Sequence, residues 1–336
     1  MTDVALDLIP VWSVILGIGV FFYVLLDGFD LGVGMLYGFA PEASKDLLMN
    51  SVAPIWDGNE TWLILGGVGL LAVFPLAYAI IIPAVYFPIL AMLLGLIFRG
   101  VSFEFRFRQP HVRRFWNGGF AVGSAVAAFA QGAVLGAMIQ GFKVSGRNFA
   151  GTSFDWLTPF SVFTGIALML GYGLLGACWL ILKTEGDVQA WARRMGRIAF
   201  IAVLIAIGVV SVWTPLMDAG IAARWFSWPN IVGLAPVPLI TLAIAYGTWR
   251  ALNGDSQAGP FAGAMGLFLM SYIGIAISLY PMLVRPVYTL WDAASAPSTQ
   301  VFLLIGTLFL LPVIIMYSAW SYWVFRGKVR GDMGYH

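Results

Sequence analysis

The chain alternates long apolar stretches with short polar breaks, and the stretches recur at a length that matches a bilayer. Runs of about 20 apolar residues repeat from end to end, the length a helix needs to cross about 30 Å of hydrocarbon. In lipid a helix satisfies its own backbone hydrogen bonds, which an isolated strand or loop cannot do. Placing the breaks at Gly, Pro and charge clusters predicts nine spans, at about 8–38, 50–74, 77–106, 115–140, 158–183, 190–217, 231–252, 260–285 and 299–326. The first is longer than a bilayer requires and is expected to tilt or to reach into water. A very short turn at Phe74 and Pro75 joins the second to the third. The pattern predicts an all-α polytopic membrane protein, one integral membrane domain over 1–336. Its spans 1–4 cover about 8–140, spans 5–8 about 158–285 and span 9 about 299–326.

Composition agrees: 60% of residues are hydrophobic, 10% are charged and the mean hydropathy is +0.89, which excludes a soluble globular domain. The sparse charges then fix an orientation. Arg106, Arg108, Arg113 and Arg114 follow the third span, Lys183, Arg193, Arg194 and Arg197 flank the fifth and sixth, and Arg326, Lys328 and Arg330 follow the ninth. With an odd number of spans these share a side with Lys45, Arg99 and Arg250, making 14 of the 18 basic residues. Lys143, Arg147, Arg224 and Arg285 are left on the other side. Basic residues gather in the cytoplasm, so the N-terminus is expected outside and the C-terminus inside.

Against that background, five carboxylates stand out within the first three spans: Asp27, Asp30, Asp57, Glu60 and Glu104. A charged side chain at membrane depth costs at least ~2.5–3.5 kcal/mol and marks an ion pathway, a proton relay or a partner contact. The predicted topology puts all five in the cytoplasmic half. Asp27 and Asp30 are three residues apart, as are Asp57 and Glu60, so each pair is expected to share a helix face. Two such faces meeting would form one polar seam open to the cytoplasm, in which crowding and burial keep protons on some carboxylates. The structural alternative is that the acids pair with Arg99, accept backbone hydrogen bonds at glycine-loosened turns, or face headgroups.

Other chemistry is thinly represented. His111 lies in a basic loop and His336 is the last residue, so a haem ligated by histidine inside this chain is not expected. The single cysteine, Cys178, reads as packing. There is no CxxC, no phosphate loop, no metal-ligand set, and no nucleophile with a base at plausible spacing. GFDLGVG at 28–34 sits within a membrane span with no preceding strand, so it is not a nucleotide loop. A net charge of +2 gives no reason to expect a nucleic-acid partner. Asp3 and Asp7 precede the first span where a cleavable signal would have basic residues. Glycines such as Gly28/Gly32, Gly34/Gly38 and Gly132/Gly136 recur at fourth positions, which lets helix backbones approach closely.

The motifs DGFDLGVG at 27–34, SVAPIWDGNETWL at 51–63, FRGVSFEFR at 98–106, LWDAASA at 290–296 and YSAWSYWVF at 317–325 together resemble subunit II of the cytochrome bd-type ubiquinol oxidases. The likeness runs from the first span to the last and is most specific in the first three. The short form and several local choices are similar to the cyanide-insensitive branch. The resemblance implies nine helices, as two four-helix bundles and one peripheral helix. It implies a partner, subunit I, that carries haem b and haem d, or a b-type haem in its place, oxidises quinol and reduces oxygen to water. Subunit II itself is implied to bind no haem, to support assembly of subunit I, and in some members to hold a structural quinone. Small single-helix accessory subunits, membrane lipid and quinol complete the expected partners, in a bacterial inner membrane.

Carried over by motif, Trp56 and Asp57 (IWDGN), Glu104 (after FRGVSF) and Asp30 (DGFD) fall on the implied proton path, with Asp27, Glu60 and Arg99 as further candidates. Some relatives have aspartate at the Glu104 position and glutamine at the Glu60 position. Trp56 either positions a carboxylate or water through its indole N–H or packs at a subunit contact. Two rival readings are a cation-coupled secondary transporter, which would call for inverted repeats and broken helices, and a purely structural assembly subunit.

Overall fold

The computed structural model describes residues 7–108 and 110–329, apart from the side chains at 107 and 110; Asp3, Arg330 and His336 lie outside the described residues. Helices dominate, in the order α1 (Ile9–Tyr37), α2 (Lys45–Asn50), α3 (Trp56–Val73), α4 (Pro75–Ala84), α5 (Tyr86–Arg108) and α6 (Arg113–Gln140). After a hairpin of β1 (Val144–Ser145) and β2 (Asn148–Phe149) come α7 (Pro159–Lys183), α8 (Gly186–Met217), α9 (Ala219–Phe226), α10 (Asn230–Leu234), α11 (Pro236–Asn253) and α12 (Gly259–Leu279). A second hairpin, β3 (Met282–Val284) with β4 (Tyr288–Thr289), leads to α13 (Leu290–Ala293) and α14 (Pro297–Val324). The hairpins are antiparallel, with Val144 opposite Phe149 and Met282 opposite Thr289.

Among the described residues eight helices are long and apolar enough to cross a membrane, so the chain is a multi-pass membrane protein. The second expected span is present as the 18-residue α3 but is not among the eight, because Asp57, Asn59 and Glu60 crowd its first turns. It starts at Trp56 rather than near residue 50, since Pro54 disfavours helical backbone just before it. The third expected span breaks at Val85 into α4 and α5; Pro88 has no N–H to give Ala84 and its ring crowds that carbonyl. The eighth stops at Leu279 instead of 285, two residues before Pro281, and the chain turns into the β3–β4 hairpin.

Close backbone approach builds the centre. α1 packs on α3, α6 and α7, and α5 packs along α6. A methyl group at Gly32 would collide with the Tyr172 carbonyl, and one at Gly176 would collide with the Gly32 backbone. α1 and α7 therefore touch main chain to main chain. α14 differs: its main packing on the helices of the first half is against α3, and Gln300 is its one buried residue. Hydrogen bonds pin it. Trp12 Nε1 donates to Gln300 O at 3.2 Å, and Lys183 Nζ reaches the Phe325 and Gly327 carbonyls.

Candidate functional site

Arg99 is fully buried on α5. Its Nη1 donates to Asp27 Oδ1 of α1 at 2.6 Å and its Nη2 to Glu60 Oε1 of α3. Helical spacing makes this meeting possible. Arg99 and Phe103 are four apart on α5, Trp56 and Glu60 four apart on α3, so each pair presents one face. Trp56 stacks on Phe103, with ring centroids 5.0 Å apart, and the Arg99 guanidinium lies 5.8 Å from the Trp56 ring. Gly100 leaves the room, since a Cβ there would stand 3.2 Å from the indole.

Asp30, one turn beyond Asp27, is buried and accepts from Asn59 Nδ2 at 2.7 Å. Asn59 Oδ1 in turn accepts from the Tyr322 hydroxyl of α14 at 2.8 Å. Asp27 Oδ2, Asp30 Oδ1 and Arg99 Nε are buried with no hydrogen-bond partner among the described residues. Two carboxylates thus pair with one guanidinium and a third is buried one turn away on α1, with polar atoms left over. One turn along α1, Tyr23 accepts from Gln131 Nε2 at 2.8 Å, and Tyr172 donates to Gln131 Oε1 at 2.6 Å, extending the polar interior into α6 and α7.

The expected seam of five acids is corrected to three. Asp57 is exposed, and Glu104 is exposed and paired with Arg108 at 3.3 Å. The physical reason is rotation. On α3, Asn59 and Trp62 mark the buried side near the site; Glu60, about 100° around the helix from Asn59, can reach sideways to Arg99, while Asp57, about 160° away, points outward. Beyond Leu96 the buried positions among the described residues of α5 are Arg99, Ser102, Phe103 and Arg106, and Glu104 is about 140° from Arg99. Trp56 stands between the two sets, half-buried over Arg99.

A second charged centre, which sequence reasoning took only as topology signal, lies two turns on along α5. Arg106 is buried; its Nε donates to Tyr37 Oη at 2.9 Å and Asn117 Oδ1 at 2.6 Å, and its Nη2 to Asp46. Arg113 donates to the same Asp46 oxygen at 2.5 Å. Burial opposes ionisation of Asp46, but the two guanidiniums outweigh it and hold the carboxyl below its ordinary value.

Asn59 and Tyr322 were also missed as site residues, although both lie inside quoted motifs, WDGNETW and YSAWSYWVF. Among the described residues no three His, Cys, Asp or Glu side chains gather to hold a metal ion, and His111 is exposed. An apolar groove of about 300 Å³ runs beside the site, lined by Leu25, Leu26, Phe29, Trp179, Phe261 and Tyr322 among others.

Comparison with known proteins supplies the context. The family model for cytochrome bd terminal oxidase subunit II matches residues 8–325. The chain is 26% identical to cytochrome bd-I ubiquinol oxidase subunit 2 of Escherichia coli (strain K12), covering 96% of this chain and 95% of that protein. It is 30% identical to cytochrome bd ubiquinol oxidase subunit 2 of Bacillus subtilis (strain 168), covering 96% of each. Its fold is similar to a chain in the structure of bd oxidase from Geobacillus thermodenitrificans, with a TM-score of 0.74 at 16% identity, over 95% of this chain and 99% of that one.

Proposed function

Because the chain belongs to the cytochrome bd terminal oxidase subunit II family, we propose that it is the haem-free partner of a haem-bearing subunit I, and that the Arg99 cluster is a proton station on an uptake route from the cytoplasm. The complex would oxidise quinol and reduce oxygen to water in a bacterial inner membrane. No step of that electron chemistry is assigned to this chain, which lacks a buried histidine among the described residues. Its own part is to hold and pass protons and to brace its partner.

One observation carries the reading: a single buried guanidinium pairs with Asp27 and Glu60 while a third carboxylate, Asp30, is buried one turn from Asp27 and bonded to Asn59. One positive charge cannot balance three carboxylates in low dielectric, so protons must supply the remainder. Asp27 serves as the fixed counter-ion of Arg99. Asp30 and Glu60 are the exchangeable positions, Asp30 held by Asn59 and Glu60 at the mouth. The unpartnered Asp27 and Asp30 oxygens suit internal water, which carries protons between groups that do not touch. Asp57 and Glu104 belong to the surface where subunit I packs, so the route enters along the subunit boundary and branches inward past Trp56. An exposed acid within a membrane-spanning helix is otherwise costly.

α3, together with α4–α5 taken as one kinked span, completes nine crossings, with the N-terminus outside and the C-terminus inside. The exposed flank of α14 suits a peripheral ninth helix, and the packing of α1 on α3 and α5 on α6, and of α7 on α8 and α11 on α12, suits two bundles in a single domain. A structural quinone, if this chain holds one, would take the apolar groove, where the Tyr322 hydroxyl is the polar contact.

The test is Asp30→Asn in the purified complex, with haem absorbance, oxygen consumption and voltage generation measured together. Slow oxygen reduction with haem intact is the expected result. Normal turnover and voltage would leave an assembly scaffold, and loss of haem would make Asp30 an assembly residue. Cation-dependent transport without quinol would favour the transporter reading.

A further inference from the structure

Where α1 and α5 end together, the charge balance reverses. Lys45, Arg106, Arg108, Arg113 and Arg114 face Glu42, Asp46 and Glu104. Lys45 pairs with Glu42 at 2.7 Å and Arg108 with Glu104 at 3.3 Å. Arg106 and Arg113 share Asp46, and Arg114 has no ion-pair partner among the described residues. Among these described residues the basic side chains outnumber the acids by two.

At this end lies a cavity of about 590 Å³ lined by Glu42, Ala43, His111, Arg113, Arg114 and Asn117. Arg113 Nε, on this lining residue, is buried without an acceptor among the described residues, as is the indole Nε1 of Trp116 one turn into α6. The same place is the start of α6, whose first turn carries no side-chain cap. Guanidinium, orphaned N–H donors and a helix start together call for a multi-oxygen anion. Exposed apolar side chains lie next to the lining residues in sequence: Phe39, three residues before Glu42, is 79% exposed and Phe115, next to Arg114, is 61% exposed. A free phosphate has no use for them, whereas acyl chains do.

We propose that this cavity binds the phosphodiester headgroup of an anionic phospholipid, with Arg113 and Arg114 as its charge contacts and the phenylalanines against its acyl chains. The chemistry is shared with inorganic phosphate, and the lipid is favoured by the apolar rim and by the supply of anionic lipid at a membrane surface. The proposal does not depend on the proton route.

The experiment uses the intact purified complex, depleted of lipid and then offered phosphatidylglycerol, phosphatidylcholine or inorganic phosphate. Bound lipid is counted by native mass spectrometry and thermal stability is recorded. The expected result is retention and stabilisation by phosphatidylglycerol alone, weakened about tenfold in Arg114→Glu, which is about 1.4 kcal/mol. Arg114 has no partner to lose, so that variant should assemble with normal haem content; Arg113→Gln is the second variant and should weaken binding in the same direction. Equal retention of phosphatidylglycerol by wild type and both variants would overturn the proposal. So would equal retention of phosphatidylcholine, and so would full stabilisation by millimolar phosphate, which would make the ligand a free anion.

Discussion

Arg99 and Arg106 sit seven residues apart on α5, both buried, yet they organise opposite kinds of centre. Around Arg99 one guanidinium pairs with two acids, Asp27 and Glu60, and a third, Asp30, is buried one turn along α1, with oxygens of Asp27 and Asp30 unpartnered among the described residues. Around Arg106 two guanidiniums meet one acid at an open helix end. The same residue type on the same helix face therefore does different things according to what its neighbours lack. An acid-rich, enclosed centre carries an excess of negative charge. A base-rich, wet one can recruit anions instead, and water screens what is left.

Removing the charge is the strongest way to break this contrast. Arg99→Gln leaves buried carboxylates without a counter-charge, a change that costs about 3–5 kcal/mol. Assembled complex on native gels is expected to fall at least about tenfold, with partial recovery in Arg99→Gln/Asp27→Asn. Arg106→Gln should lose less, about 1–3 kcal/mol from unpaired polar groups, and should leave haem content nearly normal. If both variants fail equally, the two centres are alike structural anchors.

Asp30→Asn sharpens the comparison within the buried centre. It is expected to slow oxygen consumption by about 100-fold with haem content retained, in the range for a positioned proton-transfer group. Asp57→Asn and Glu104→Gln should each lower turnover several-fold, since water at the subunit boundary can bypass one exposed acid; turnover unchanged in both would remove them from the route.

The smallest effect belongs to pH at the open centre. The Asp46 carboxyl is held below its ordinary value in the folded chain, so its contribution is present above the unfolded value near about 4 and is lost as pH falls through the folded one. The thermal midpoint of wild type should therefore drop more than that of Asp46→Asn between about pH 5 and pH 3. The difference should be slight, because the Asp46 side chain is 54% exposed and salt screens such pairs.

Span positions were legible because apolar runs and prolines are local signals. Pro75 marks a helix start as expected, whereas Pro88 and Pro281 break or end helices the hydropathy pattern carried through. The acids were legible as a group, and so was Arg99 as their neighbour. What spacing could not resolve was which acid turns inward. Asp57 and Glu60 are three apart and share a side in outline, and only the burial of Asn59 decides between them. Tyr322 was out of reach for another reason: it meets Asn59 across 263 residues of sequence, and helical periodicity holds no information on which helices become neighbours. Arg106 counted as a topological charge, since nothing in the sequence announces that Tyr37 and Asn117 wait for it.

α14 is fastened at its ends and at Tyr322 while most of its length is left to lipid. It is a strut rather than a wall. A bilayer that thickens or thins tilts such a strut before it deforms the glycine-tight contact of α1 with α7, and the first bond to feel the pull is the one from Tyr322 to the amide that steadies Asp30.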